Sequence, residues 1–235
     1  MRSHPALSVC DLAYVISVNL GRFANSQAAA APLDAVFATA SSEGLEREIS
    51  VPNPTTEYRR VARLFHWGMA ALVLAMIPAG MTMVQPGIDR SLQNTLFIFH
   101  KNAGVLLLVL VVLRLLYRWR HPPAPLPDDV PGWQHRAAGL SHAALYALLV
   151  IVPVAGYVRV KAGGFPIETL DRLGVPPLVA RSDALAETAK TIHYFGGIAL
   201  GLLVGLHIAA AVYHGVVRKD QVFARMWPPF ARPKS

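Results

Sequence analysis

The stretch that decides the fold is I-H-Y-F-G-G-I-A-L-G-L-L-V-G-L-H-I-A-A-A-V-Y-H-G-V-V, residues 192–217, which contains no Asp, Glu, Lys or Arg. It is longer than the roughly 20 apolar residues with which a helix crosses a bilayer. His193 and His207 are fourteen residues apart. Fourteen residues are close to four helical turns, so both imidazoles share one helix face, about 21 Å apart. Ionisable side chains are costly inside a membrane, so each histidine indicates a functional site at its own depth.

The composition of the whole chain is that of a membrane protein. Hydrophobic residues make up 54% of it and charged residues 15%, with a mean hydropathy of +0.39. Three further stretches are long and apolar enough to span a bilayer, and they are residues 61–84, 96–117 and 140–158. A soluble bundle would need polar helix faces, which these segments lack. The sequence therefore predicts an all-α membrane protein, a bundle of four transmembrane helices.

Basic residues are concentrated at one side of this predicted bundle. They precede the first span, lie between the second and third, and follow the fourth, whereas the other two connections balance basic with acidic residues. By the positive-inside rule, both termini are predicted to be cytoplasmic in a multi-pass protein of the plasma membrane. The net charge of +8 is then explained by topology and by lipid headgroups as partners. A nucleic-acid partner is not expected, because no basic patch is interleaved with aromatic residues.

The domain organisation follows from the same pattern. We expect residues 1–55 to be an N-terminal extension, mostly disordered, residues 56–228 to be the four-helix domain, and residues 229–235 to be a C-terminal tail. The sole cysteine, Cys10, falls in the extension. One cysteine excludes an intrachain disulfide and the C-x-x-C-H attachment of a c-type haem.

The four spans together place ionisable residues and glycines at two depths. Alternating helix directions predict one layer that holds His100 and His193, beside Gly80 and Gly156, which leave room for something large and flat. The second layer is predicted on the cytoplasmic side, with three histidines and a basic residue that could reach a propionate, namely His66, His142, His207 and Arg114. Opposed imidazoles at a shared depth are typical of axial ligation to a haem iron that is held without a covalent link.

Two features of this pattern have a second interpretation. Gly197, Gly201 and Gly205 form a small-xxx-small series, which predicts either close helix packing or clearance for a porphyrin. Arg114 could instead extend toward the cytoplasmic headgroups.

Several motifs carry a resemblance to a known family. They are R-L-F-H-W (63–67), F-H-K-N-A-G (99–104), H-A-A-L-Y (142–146) with V-P-V-A-G-Y (152–157), and H-Y-F-G (193–196) with G-L-H-I-A-A-A-V-Y-H (205–214). In histidine placement and helix order they resemble the prokaryotic cytochrome b561 family over about residues 58–228. The resemblance implies a cytochrome of the bacterial inner membrane with four transmembrane helices and two non-covalent b haems.

The resemblance also implies the iron ligands. Carried over by position, His100 and His193 would hold the periplasmic haem, and His66 and His207 the cytoplasmic one. His214 lies about 31 Å from His193, the whole hydrocarbon thickness, so His207 is the better ligand on this span. His142 remains an alternative at the cytoplasmic site.

By the same resemblance the chain would transfer electrons between a periplasmic donor and the quinone pool, with ubiquinone as the expected substrate. Some relatives are superoxide:quinone oxidoreductases, and others are electron-transfer subunits of separate dehydrogenases or hydrogenases or serve another redox protein. His142 and His214 are the residues we expect at a quinone and proton site. Lys101, Arg159 and Lys161 are expected to form an entry for an anion such as superoxide.

Overall fold

The apolar stretches fold as helices in the computed structural model, which describes residues 58–122, 131–220 and 222–227. In these ranges the elements, in chain order, are α1 (Arg60–Thr82), α2 (Arg90–Arg120), α3 (Gly132–Ala162), α4 (Glu168–Arg172), α5 (Asp183–Val212) and a π-helix (Tyr213–Arg218) that continues α5. The predicted extension and tail, residues 1–55 and 229–235, lie outside the described residues.

Four helices are long and apolar enough to cross a membrane, and they are Arg60–Thr82, Arg90–Arg120, Gly132–Ala162 and Asp183–Arg218. Large apolar side chains cover their outer surfaces, as at Leu106, which is 52% exposed, and Leu202, which is 73% exposed. Such a surface is unfavourable in water and suited to lipid. The prediction of a four-helix transmembrane bundle is confirmed.

The helices α2, α3 and α5 begin well before the apolar stretches that predicted them, and polar caps fix the first turns of α2 and α5. The Asp89 carboxylate accepts a hydrogen bond from Leu92 N, and α2 begins at Arg90. The Ser182 hydroxyl accepts one from Leu185 N, and α5 begins at Asp183. Hydropathy marks the part of a helix that lies in lipid, whereas capping satisfies the free N–H groups and sets where the helix starts.

The apolar core lies midway between the two predicted histidine levels. Its buried members are Met69, Val73 and Met76 of α1 and Ala103, Leu107 and Val111 of α2. Side chains of the other two long helices pack against this core, namely Leu149 and Val150 of α3 and Val204 of α5. The core therefore separates the two histidine levels.

The glycine series of α5 does not mediate close helix packing. A Cβ atom built at Gly197, Gly201 or Gly205 would meet no atom within 4 Å. The contact with α3 is made one residue earlier, at Gly196, where a Cβ would lie 2.9 Å from Val152. One residue turns a helix by about 100°, so the series faces away from α3. The packing interpretation is wrong for these three glycines, and clearance for a porphyrin stays a prediction.

Candidate functional site

One histidine pair, here called the loop-side pair, joins α2 to α5 at the end of the bundle that carries α4. It consists of His100 and His193, whose ring centroids are 5.9 Å apart with an interplanar angle of 81°. The alternating directions of the spans predicted both residues at this level, and the structure brings their rings together. The pair can offer one imidazole nitrogen to each side of a single metal ion.

Both rings of the loop-side pair are oriented by backbone carbonyls. His100 Nδ1 lies 3.2 Å from the carbonyl oxygen of Met76, and His193 Nδ1 lies 2.9 Å from that of Val152. A carbonyl only accepts, so each Nδ1 must carry the hydrogen and donate it. The other nitrogen, Nε2, is then the unprotonated one that can bind iron.

Gly80 and Gly156 make these two hydrogen bonds possible. Each glycine follows the accepting carbonyl by four residues, and a side chain at that position would lean back over the carbonyl. A Cβ at Gly80 would lie 2.8 Å from His100 Cε1, and a Cβ at Gly156 would lie 3.0 Å from His193 Cε1. The space beside each glycine is thus filled by an imidazole ring. Contact of these glycines with a porphyrin stays a prediction.

A second group, here called the terminus-side cluster, lies at the opposite end of the bundle. It contains His66 of α1, His142 of α3 and His207 of α5. The ring centroid of His207 is 6.2 Å from that of His66 and 5.4 Å from that of His142. His66 and His142, the two residues that the sequence offered as the second ligand beside His207, therefore both lie next to it.

The separations within these groups fit bis-histidine ligation. Metal–nitrogen bonds of about 2.0 Å, plus roughly 1.1 Å from each nitrogen to its ring centre, separate two ligating rings by about 6 Å. The loop-side pair at 5.9 Å and the pair His66–His207 at 6.2 Å match this value, and His142–His207 at 5.4 Å is shorter. The donor set, imidazole rings from two different helices at each level, is one that haem iron accepts.

Arg114 is directed into the bundle rather than toward the headgroups. Its Nε donates to the Tyr146 hydroxyl at 2.9 Å, and one terminal nitrogen donates to the Ala62 carbonyl at 3.2 Å. Its guanidinium is close enough to His66, His142 and His207 to interact electrostatically with each. Arg114 thus supplies a positive charge to the terminus-side cluster. The sequence reading missed Tyr146, although the H-A-A-L-Y motif contains it.

The π-helix places a buried acid beside His214. His214 Nδ1 is 2.5 Å from the carboxylate of Asp220, which also accepts a hydrogen bond from Val222 N. Asp220 is only 8% exposed, and Lys219 before it has a left-handed backbone at φ 53°. This reversal folds the chain back so that the carboxylate reaches the histidine. The sequence predicted His214 as a site residue but missed Asp220.

Two of the three predicted anion-entry cations are paired with carboxylates of α4. Lys101 Nζ lies 2.6 Å from Glu168, which also accepts a hydrogen bond from Asn102, and Lys161 pairs with Asp171. Burial alone would raise the pKa of Glu168, but the hydrogen bonds from Lys101 and Asn102 hold that pKa below its ordinary value.

The second carboxylate behaves in the same way, because the hydrogen bond from Lys161 lowers the pKa of Asp171. Both carboxylates are therefore charged at neutral pH, and they offset two of the three cations. The guanidinium of Arg159 is close enough to both histidines of the loop-side pair to interact with them electrostatically. Glu168 and Asp171 are visible in the sequence, but their pairing with Lys101 and Lys161 depends on how α4 packs against the long helices.

Comparison with known proteins agrees with the motifs. A protein-family profile described as prokaryotic cytochrome b561 matches residues 57–229. Cytochrome b561 homolog 2 of Escherichia coli (strain K12) is 31% identical over 179 residues, covering 76% of this chain and 95% of that protein. Cytochrome b561 homolog 1 of the same organism is 30% identical over 129 residues, 55% of this chain and 73% of that protein. The protein named probable superoxide oxidase CybB of Yersinia pestis is 28% identical over 166 residues, 69% of this chain and 91% of that protein.

Proposed function

The chain belongs to the prokaryotic cytochrome b561 family, and we propose that it binds two b haems and transfers electrons between a periplasmic donor and the quinone pool. The family makes it a multi-pass bacterial membrane protein of electron transport that binds haem b. We propose, beyond this, how many haems the chain binds, which donor reduces it and which quinone it reduces. The observation that carries it is the two histidine groups, each with ring separations near 6 Å, at the two ends of one apolar core.

In this proposal His100 and His193 hold one haem, and His66 and His207 hold the other. The hydrogen bonds from Nδ1 of His100 and His193 fix the orientation of both rings and leave Nε2 available to bind iron. Arg114 offers its charge to a propionate of the second haem, and Gly80 and Gly156 keep the loop-side rings in place. Bound haem b would supply one-electron chemistry at these histidines.

The proposed orientation has the terminus-side cluster toward the cytoplasm. Basic residues support it, because they adjoin this end of the bundle at the start of α1, at the end of α2 and after the π-helix. The loop-side pair is then periplasmic, and both termini are cytoplasmic in the inner membrane.

We place the quinone near the terminus-side cluster. His142 and His214 lie at that end of the bundle, where a quinone such as ubiquinone would need hydrogen bonds to its carbonyls and a supply of protons. Asp220 extends this assignment, because a carboxylate against His214 can orient the ring and hold a proton at its Nδ1. The His214–Asp220 pair would bring protons from the cytoplasmic side.

The donor that we propose is superoxide, which would make the chain a superoxide:quinone oxidoreductase. Two superoxide anions give up one electron each and become dioxygen, and one quinone takes those two electrons and two protons to become the quinol. The printed name of the relative from Yersinia pestis supports this choice. The charge of Arg159 beside the loop-side pair supports it as well, since a cation draws an anion toward its haem.

One observation favours a second donor. The pairing of Lys101 with Glu168 and of Lys161 with Asp171 leaves the loop-side surface with less positive charge than its three cations suggest. A surface of mixed charge suits a protein donor, so the alternative function is an electron-transfer subunit for a separate dehydrogenase, hydrogenase or periplasmic redox protein.

The test of the proposed function is quinone reduction by the purified protein during steady generation of superoxide. Quinol should accumulate, and superoxide dismutase should abolish its formation. Two results would contradict the superoxide function and favour a protein donor. One is quinol formation at the same rate with and without the dismutase, and the other is no quinol formation by protein with its full haem content.

The charge pattern around α4 predicts opposite effects for two substitutions. Glu168→Gln keeps a hydrogen-bond acceptor for Lys101 but removes the negative charge, so superoxide should reduce the periplasmic haem a few-fold faster. Arg159→Ala should slow the same reaction, and Lys101→Ala and Lys161→Ala should slow it less. Stopped-flow haem reduction at several salt concentrations measures this, and the differences should shrink as salt rises. Equal rates in all the variants would reject an anion entry at this surface.

The His214–Asp220 pair predicts a separation between haem reduction and quinone reduction. Asp220→Asn removes the negative partner of His214, so quinone reduction should slow, by about ten-fold if the pair handles protons. Reduction of both haems by superoxide should be unchanged. Asp183→Asn, an exposed acid at the other end of the bundle, is the control. Wild-type quinone turnover in Asp220→Asn would exclude the pair from the proton path.

A further inference from the structure

The connection between α4 and α5 contains an uncharged apolar segment. Residues 173–180 read L-G-V-P-P-L-V-A, with charged residues only on either side of them. Leu173 is 72% exposed and Leu178 is 79% exposed, which makes them among the most exposed large apolar side chains in the part of the chain that the structure describes. Exposed leucines within one short uncharged segment are typical of a surface that contacts lipid or another protein.

A hydrogen bond holds this segment against the side of a spanning helix. Leu178 N donates to the Tyr157 hydroxyl at 2.9 Å. Tyr157 lies three residues after Val154 on α3, so the two share a helix face. Val154 is 41% exposed within a membrane-spanning helix, which means that this face is turned to lipid. Leu178 is therefore hydrogen-bonded to the face of α3 that carries Val154, near the C-terminal end of that helix.

The segment continues directly from a fixed structure. Leu173 N donates to Thr169 O, Gly174 N donates to Asp171 O, and Val175 N donates to Leu170 O. Gly174 has φ 67°, a backbone that glycine adopts without strain. Helix α4 is itself joined to α2 through Lys101 and Glu168. Leu173 is thus held by a backbone hydrogen bond to Thr169, and Leu178 by its bond to the Tyr157 hydroxyl.

We propose that residues 173–180 are seated in the membrane interface, with Leu173 and Leu178 among the upper acyl chains of the phospholipids. The hydrogen bond from Leu178 N to Tyr157, on the helix face that also carries the exposed Val154, supports a position at the side of the bundle. Short apolar segments next to a membrane are stabilised by burial at the headgroup–acyl boundary. The bilayer would then fix α4, and through α4 the carboxylates that pair with Lys101 and Lys161.

This inference is tested by measuring the depth of the segment in vesicles. In a Cys10→Ser background, Leu178→Cys and Leu173→Cys are each labelled with a small environment-sensitive fluorophore and reconstituted into phosphatidylethanolamine–phosphatidylglycerol vesicles. Ala184→Cys is the matched control, because Ala184 is exposed in the first turn of α5, about 12 Å before the apolar stretch begins at Ile192.

We expect lipids with a nitroxide high on the acyl chain to quench the labels at positions 173 and 178 several-fold more than the label at 184. Iodide dissolved in the water should quench the label at 184 more than the labels at 173 and 178. If iodide quenches the labels at 173 and 178 as strongly as the label at 184, the proposal is wrong. The two leucines would then be a contact site for a protein partner. The label depth does not depend on haem content or electron transfer, so failure here is distinct from failure of the proposed function. Circular dichroism of each labelled protein shows that the helices are retained.

Discussion

His193→Ala and His100→Ala are each expected to remove the same haem and to leave the other in place. The two rings lie 5.9 Å apart on different helices, and we propose that both would bind the same iron. Loss of either ligand should therefore give the same spectrum and about half the wild-type haem content, following the two-level assignment. His66→Ala and His207→Ala should lose the other haem. Reduced-minus-oxidised spectra and haem content of the four purified variants measure this.

His142→Ala distinguishes the two partners that stand beside His207. The separation of 6.2 Å to His66 matches bis-histidine ligation better than the 5.4 Å to His142. We therefore expect His142→Ala to keep both haems and to slow quinone reduction. Loss of a haem in His142→Ala, together with its retention in His66→Ala, would exchange the roles of these two residues.

Gly80→Ala and Gly156→Ala are expected to weaken binding of the loop-side haem by about 10- to 100-fold, the usual cost of disturbing a partner that orients a metal ligand. The added methyl at Gly80 would lie 2.8 Å from His100 Cε1, and that at Gly156 would lie 3.0 Å from His193 Cε1. Each ring must move, and moving it breaks the hydrogen bond from Nδ1 to the carbonyl of Met76 or Val152. The terminus-side haem should be unaffected.

Each of these helices offers its own control for the added methyl group. Gly68 on α1 and Gly139 on α3 are exposed, and a Cβ at either would meet no atom within 4 Å. Gly68→Ala and Gly139→Ala should therefore keep both haems. Haem retention during dilution of the purified variants, followed by absorbance, makes the comparison. Equal retention in all four variants would show that the two glycines do not position the ligands.

The two histidine levels could be predicted from the sequence because they depend on a local regularity. A helix fixes the height of a residue at 1.5 Å per position, so the fourteen-residue spacing of His193 and His207 translates directly into depth. Alternating spans then assign His66 and His100 to opposite ends. Apolar surroundings do not disturb this relation, since backbone hydrogen bonding keeps each span helical.

Other parts of the site depend on contacts between distant segments, which spacing does not encode. Asp220 reaches His214 only because the chain reverses at Lys219. Glu168 meets Lys101 only because α4 folds back on α2. The sequence predicted that Gly80 and Gly156 leave open space beside them. Only the packing of the helices shows that the rings of His100 and His193 fill this space.

If one chain holds two b haems at two depths, the haem content of the purified protein must show it. A pyridine haemochromogen assay on fully loaded, purified protein, with the protein concentration from amino-acid analysis, should give about two b haems per chain, one for each histidine level. One haem per chain, or none, would contradict the account.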